Sequence, residues 1–139
     1  MKKEKKWKKI TSWILQGALA GLFAMAALPK LTGDPTALAM VSKLGLGDWA
    51  AYGIGLVELA AAVLLLVPRW ALGGALLGAA TLAGAILSHL TVLGISLGED
   101  DGGSMFLMAI GGLFLAVAIA WLRREPLRLL LSGKEVAGT

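Results

Sequence analysis

At 139 residues the chain is 58% hydrophobic and only 16% charged, with a mean hydropathy of +0.79, which excludes an ordinary soluble domain of this size. It contains no cysteine, so its own side chains cannot support thiol-disulfide exchange, thiolate zinc or iron-sulfur ligation, or covalent c-type haem attachment. The net charge of +4 does not point to nucleic acid: of the 13 Lys and Arg, six lie in the N-terminal arm, one in the Pro68 turn and four near the C-terminus, leaving Lys30 and Lys43 in the other connections, a pattern that places both termini in the cytoplasm.

Four apolar segments, Ile10–Leu28, Trp49–Val67, Trp70–Leu93 and Ser104–Leu122, approach or exceed the roughly 20 residues that cross a bilayer core. The fold class is therefore all-α, an integral membrane four-helix bundle. Residues 1–9 are a basic cytoplasmic arm, 10–125 the transmembrane domain and 126–139 a cytoplasmic tail.

In the arm, six lysines surround Trp7, which suits an anionic lipid surface or serves only as a topology signal. The arm, the run after it and Ala24-Met25-Ala26 also have the outline of a secretory signal with its cleavage site; the segment is read as retained. This first span carries Ser12, Gln16, Gly17 and Gly21, the glycines spaced to let helix backbones approach closely. Pro29 should kink or end the helix, leaving Lys30 at the outer mouth.

Between the first two spans, Asp34 and Pro35 are a good N-cap and first helical residue, so a short extra helix is expected over TALAMVSKL in this outer loop. Its apolar face, Leu38, Val41 and Leu44, would lie on the membrane surface or over the bundle. Gly45 and Gly47 end it, and Asp48 is expected to cap the second span.

The second and third spans form a hairpin around Pro68 and Arg69, and each buries one ionisable residue. At 100° per residue, Glu58 shares a face with Ala51, Gly55, Ala61, Ala62 and Leu65, while Leu56, Val63, Leu64 and Val67 lie opposite. Small residues mark helix contacts and bulky aliphatics face lipid, so Glu58 points inwards. The same reasoning turns His89 inwards along a stripe of Ala71, Ala75, Gly78, Leu82 and Ala85, with Gly74 and Gly84 as further packing glycines. Glu58 lies roughly 15 Å above the Pro68 turn and His89 nearly 30 Å, counting about 1.5 Å per residue, so direct contact between them needs tilt, a bend or water. Gln16 and Thr81 are expected at the level of Glu58, and Lys30 and Asp48 at that of His89. This describes an outward-facing polar pocket with Glu58 at its floor.

The acidic loop GEDDGG follows the general charge asymmetry and offers too few ligands for a calcium site on its own; no metal site is expected. The fourth span is apolar apart from Ser104 and stops at Arg123 and Arg124. Trp13, Trp70 and Trp121 mark the inner interface and Trp49 with Tyr52 the outer one. After Pro126, LRLLL suits a short interfacial helix, and SGKEVAGT a disordered tail.

Leu28-Pro29-Lys30-Leu31, then YGIGLVELAAAVLLLVPR, then a Gly-Ala series ending in GAILSHL resemble the DoxX-like family of small four-helix membrane proteins, over roughly residues 17 to 92. The elements that carry the likeness are Lys30 ending the first helix, Gly55 and Glu58 in the second, and Gly84, Ala85 and His89 in the third. The resemblance implies a four-helix bundle in the plasma membrane. Members are linked to quinone-dependent sulfur oxidation and membrane oxidoreductase complexes, and distant relatives to assembly or trafficking of membrane proteins. Without the cysteines of the thiol-active relatives, any redox role here rests on a quinone or a partner.

Two functions follow as expectations. In one, the chain is a non-thiol subunit of a membrane redox complex whose pocket holds a quinone or other lipid-soluble ligand, with Glu58 exchanging a proton through Gln16 or water. In the other, it is a non-catalytic chaperone or scaffold that docks membrane proteins through its glycine-rich faces. The expected partners are membrane lipid, a redox or other membrane protein, and a second copy of the chain. Against both stands a purely structural Glu58, protonated and fixing helix register, and a His89 merely wetted at the interface. No inverted repeat or broken helix pair supports a transporter.

Overall fold

The computed structural model describes residues 2–94 and 103–124. The chain opens with a single helix, α1 (Lys2–Thr32), so the basic arm continues the first span. Pro29 lies inside this helix. It removes one backbone donor, but the helix runs on to Gly33, where a backbone φ of +75° suits glycine. The Asp34 amide donates back to the Pro29 carbonyl at 2.9 Å, closing the end in a Schellman arrangement. The expected break at Pro29 therefore falls four residues later.

Asp34 also starts the next element, α2 (Pro35–Ser42), by accepting the Ala37 amide at 3.3 Å. Ala37 and Val41 are buried, and Val41 packs with Ala50 and Ala51 at the start of α3 (Asp48–Leu66). The N-cap of α3 is Gly47 and not Asp48, which occupies the first turn. There its carboxylate complements the helix dipole without capping an amide. A 3-10 turn over Pro68–Trp70 leads into α4 (Ala71–Ser88), which widens into a π-helical turn at His89–Leu93. The last helix among the described residues is α5 (Ser104–Leu122). Among those residues four helical segments are long and apolar enough to cross a membrane, and no strand occurs. The acidic residues 99–101, the LRLLL segment and the C-terminal tail lie outside the described residues.

Around the bundle, α1 packs on α3, α3 on α4, α4 on α5 and α5 on α1. On α3 the buried residues are Ala50, Ala51, Gly55, Glu58, Ala61, Ala62 and Leu65, and Leu56 and Val63 are exposed, as the 100° periodicity required. The α4 stripe likewise buries Ala71, Gly74, Ala75, Gly78 and Leu82. The packed core, with Leu19, Phe23, Leu65, Ala75, Ala116 and Ile119 at its centre, fills the half of the bundle nearer the Pro68 hairpin.

Glycine sets how closely the helices approach there. A Cβ on Gly74 would stand 2.8 Å from the Leu65 amide nitrogen, and one on Gly78 2.7 Å from the Phe23 ring. At Gly55 it would meet Leu31 and the Lys30 stem at 3.0 and 3.1 Å. Gly17, Gly21 and Gly84 have open space instead; all three are exposed, so they do not serve packing within the chain. Gly74→Val should therefore lower unfolding stability in detergent by about 1–3 kcal/mol through overpacking against backbone. Gly21→Ala meets no neighbour and should not lower it, helix propensity raising it by up to about 1 kcal/mol.

Candidate functional site

The polar residue that the first helix sends into the bundle at its far end is Lys30. Its Nζ lies 3.0 Å from Glu58 Oε2 and 3.1 Å from Oε1, and it donates a third bond to the Ala26 carbonyl at 2.9 Å. The pair is enclosed, with side chains 16% and 10% exposed, so neither charge is held mainly by water. Counting helix levels placed Lys30 at the rim with His89 and Glu58 lower down. The two meet because a helical Cα–Cβ bond tilts towards the helix N-terminus, which for α1 is towards the bundle middle, and a lysine stem adds several ångströms of reach. Gly55, one turn before Glu58, leaves room for that stem.

The pair lies on the wall of a cavity of about 980 Å³, at the upper end of the volumes that small-molecule sites occupy. The cavity takes the half of the bundle that the packed core leaves open. Its walls come from α1, α3, α4 and α5, with α2 contributing Ala37, Met40 and Val41, and they are apolar apart from a few side chains. Thr81, Ser88 and His89 line it together with Lys30 and Glu58. Glu58 and His89 thus face one space without touching.

His89 is buried, 5% exposed, and is fixed from two sides. Its Nδ1 lies 2.9 Å from the Gly94 carbonyl; a carbonyl only accepts, so Nδ1 carries the proton. The ring also meets Phe106 of α5 edge-on, with centroids 5.8 Å apart. Starting at His89, the π turn ends at Gly94 with φ of +81°. The imidazole thereby takes one of the carbonyls that a helix C-terminus leaves without an intrahelical partner.

Two expected pocket residues stand elsewhere. Gln16 does not approach Glu58: its Nε2 donates to the Leu65 carbonyl at 2.6 Å, and its Oε1 accepts from Ser12 Oγ at 2.6 Å and Arg123 Nε at 3.1 Å. Lys30 fixes the register of α1 against α3, and Gln16, fourteen residues earlier, lies about 21 Å further down the helix. Asp48 is exposed and outside the cavity wall. Sequence reasoning treated Arg123 only as a helix stop. Arg123 also donates from Nε to Ser12 Oγ at 2.9 Å, tying the end of α5 to α1 at the hairpin end of the bundle, while its Nη2 is buried without a partner. No signal in the sequence separated this arginine from Arg124, whose guanidinium stacks 4.5 Å from the Trp121 ring.

The class of protein is thus a multi-pass helical membrane bundle with a charge pair on the wall of a half-open cavity between its helices. A family model described as the DoxX-like family matches residues 14–121, and the chain belongs to that family. The match extends beyond the stretch that carried the resemblance and takes in nearly all of α5. No curated protein and no solved structure matches the chain significantly.

The pair should behave as a unit. Lys30→Met or Glu58→Leu alone leaves one enclosed charge uncompensated and should cost about 3–5 kcal/mol of unfolding stability, whereas the double substitution should recover most of the loss. Unfolding of the wild type and the three variants in one detergent or nanodisc system checks this.

Proposed function

We propose that the chain is a non-thiol subunit of a membrane redox complex and that its cavity holds a quinone or another lipid-soluble ligand. The observation that carries this reading is a large, mainly apolar cavity with the Lys30–Glu58 pair on its wall and Thr81 and His89 on the same surface. An enclosed charge pair contributes little net stability compared with apolar packing. A chain that holds one beside open space has instead a polar anchor for the head of an apolar molecule.

The size and lining fit an isoprenoid quinone, with ring against the polar wall and chain against Met, Leu and Val side chains. A bound quinone would supply the electron-transfer chemistry. The chain's own part is to bind, to orient the ring and to accept a proton at Glu58. On the charge distribution both termini lie in the cytoplasm and the α2 end of the cavity faces outwards; the plasma membrane, which the family likeness implies, is the site of residence. The scaffold reading keeps one observation in its favour: the exposed α1 face at Gly17 and Gly21 has room for a helix from another chain.

The test is mass spectrometry of what co-purifies with the wild type and with Glu58→Gln from native nanodiscs. Retention of a quinone or one defined lipid by the wild type, and a loss of about tenfold in the variant, is the expected outcome. A protein partner retained equally by both, with no enriched small molecule, would replace the ligand reading with the scaffold.

A further inference from the structure

Around the Lys30–Glu58 pair, the side-chain hydrogen-bond donors on the cavity wall are already spent. The Lys30 ammonium has three protons, and its three bonds go to the Ala26 carbonyl and the two Glu58 oxygens. Thr81 Oγ1 donates to the Leu77 carbonyl at 2.8 Å, and Ser88 Oγ to the Gly84 carbonyl at 2.8 Å. His89 uses its Nδ1 proton on the Gly94 carbonyl.

What each group has left is a lone pair. A carboxylate offers about four acceptor positions, of which Lys30 occupies two, so Glu58 keeps about two. Each hydroxyl oxygen remains an acceptor, and with the ring proton on Nδ1 the Nε2 of His89 is one also. Two lining side chains keep a donor, Thr36 and Trp49. Both are exposed, and Trp49 lies nine residues, about 14 Å of helix, from Glu58.

We infer that the cavity selects an apolar molecule whose polar head donates hydrogen bonds, a neutral hydroxyl compound such as a quinol, over one that only accepts them, such as the oxidised quinone. This rests on the reading of the cavity as a ligand site and names the state of the ligand that the site prefers. A quinone carbonyl brought to Glu58 sets oxygen lone pairs against a carboxylate and finds no proton there. A phenolic or alcoholic hydroxyl meets an acceptor and makes a charge-assisted bond. A cationic head is disfavoured, because Lys30 already balances Glu58 and repels a second positive charge.

The experiment measures binding to the full chain in nanodiscs with two matched pairs of probes: a short-chain ubiquinol and its quinone, the former kept reduced under anaerobic conditions, and a long-chain isoprenoid alcohol and its methyl ether. The expected result is that each hydroxyl form binds at least about tenfold tighter than its partner, since the loss of a hydrogen bond to a charged group is of that size or larger. Glu58→Gln supplies an amide donor and removes the anion, so it should abolish or invert the preference. Thr81→Val, a near-isosteric change on the partly buried wall, should reduce it without loss of folding.

Quinone bound as tightly as quinol overturns the inference while leaving the quinone pocket standing. Alcohol bound tightly over its ether, with neither quinone form bound, keeps the donor preference and removes the quinone. Absence of binding by both pairs removes both readings.

Discussion

A lysine and a glutamate within the apolar part of a bundle have to find each other, because each alone is expensive in a low-dielectric surrounding. The contact between Lys30 and Glu58 fixes the rotation and the height of α1 against α3. With that register set, Leu19 and Phe23 fall into the packed half of the molecule. Gln16 and Ser12 arrive at the Leu65 carbonyl and Arg123. One ion pair and one hydrogen-bonded cluster therefore hold the outer end and the middle of the same helix.

Between these two points the interior changes character. Towards the hairpin, Gly74 brings α4 backbone to backbone with α3, and Gly78 admits the Phe23 ring, so dispersion contacts are dense. Beyond Glu58 the residues that face inwards on α4 are Thr81, Ala85 and His89, and a Cβ on Gly84 would meet nothing. The same helices enclose a packed core at one end and a cavity at the other, because small residues touch backbone in the first half and face open space in the second. The π turn at His89 widens the last turn of that wall at the point where the imidazole takes the Gly94 carbonyl. Such turns recur where a helix is re-aimed at a functional site.

Much of this was legible from residue periodicity. The buried stripes of α3 and α4 follow from small residues recurring along one helical face, and the inward direction of Glu58 and His89 came with them. Depth was less legible. Counting rise per residue treats a side chain as a point at its Cα, so it misses the backward reach of Lys30 and sets Gln16 beside Glu58, where it is not. Pro29 and Asp48 show the same limit for helix ends: the side-chain rule was right in kind, but α1 ends at Gly33, whose φ of +75° suits glycine, and α3 is capped by Gly47 in an ordinary extended conformation. The role of Arg123 and the widened turn at His89 arise only once four helices are assembled, so no local pattern carried them.

The central claim is that the half of the bundle beyond Glu58 is an open cavity that a lipid-soluble molecule can occupy, while the other half is packed shut. Because the chain has no cysteine, a single substitution provides a unique thiol with which to measure this. Ala85→Cys lies on the cavity wall, and Ala116→Cys in the core, where the native residue is 0% exposed. Labelling by a small membrane-permeant maleimide should be at least about tenfold faster at Ala85→Cys, because access governs thiol modification. It should slow when the protein is first saturated with a lipid-soluble quinol. Equal, slow labelling at both positions would mean that the bundle is packed throughout, and would contradict the account.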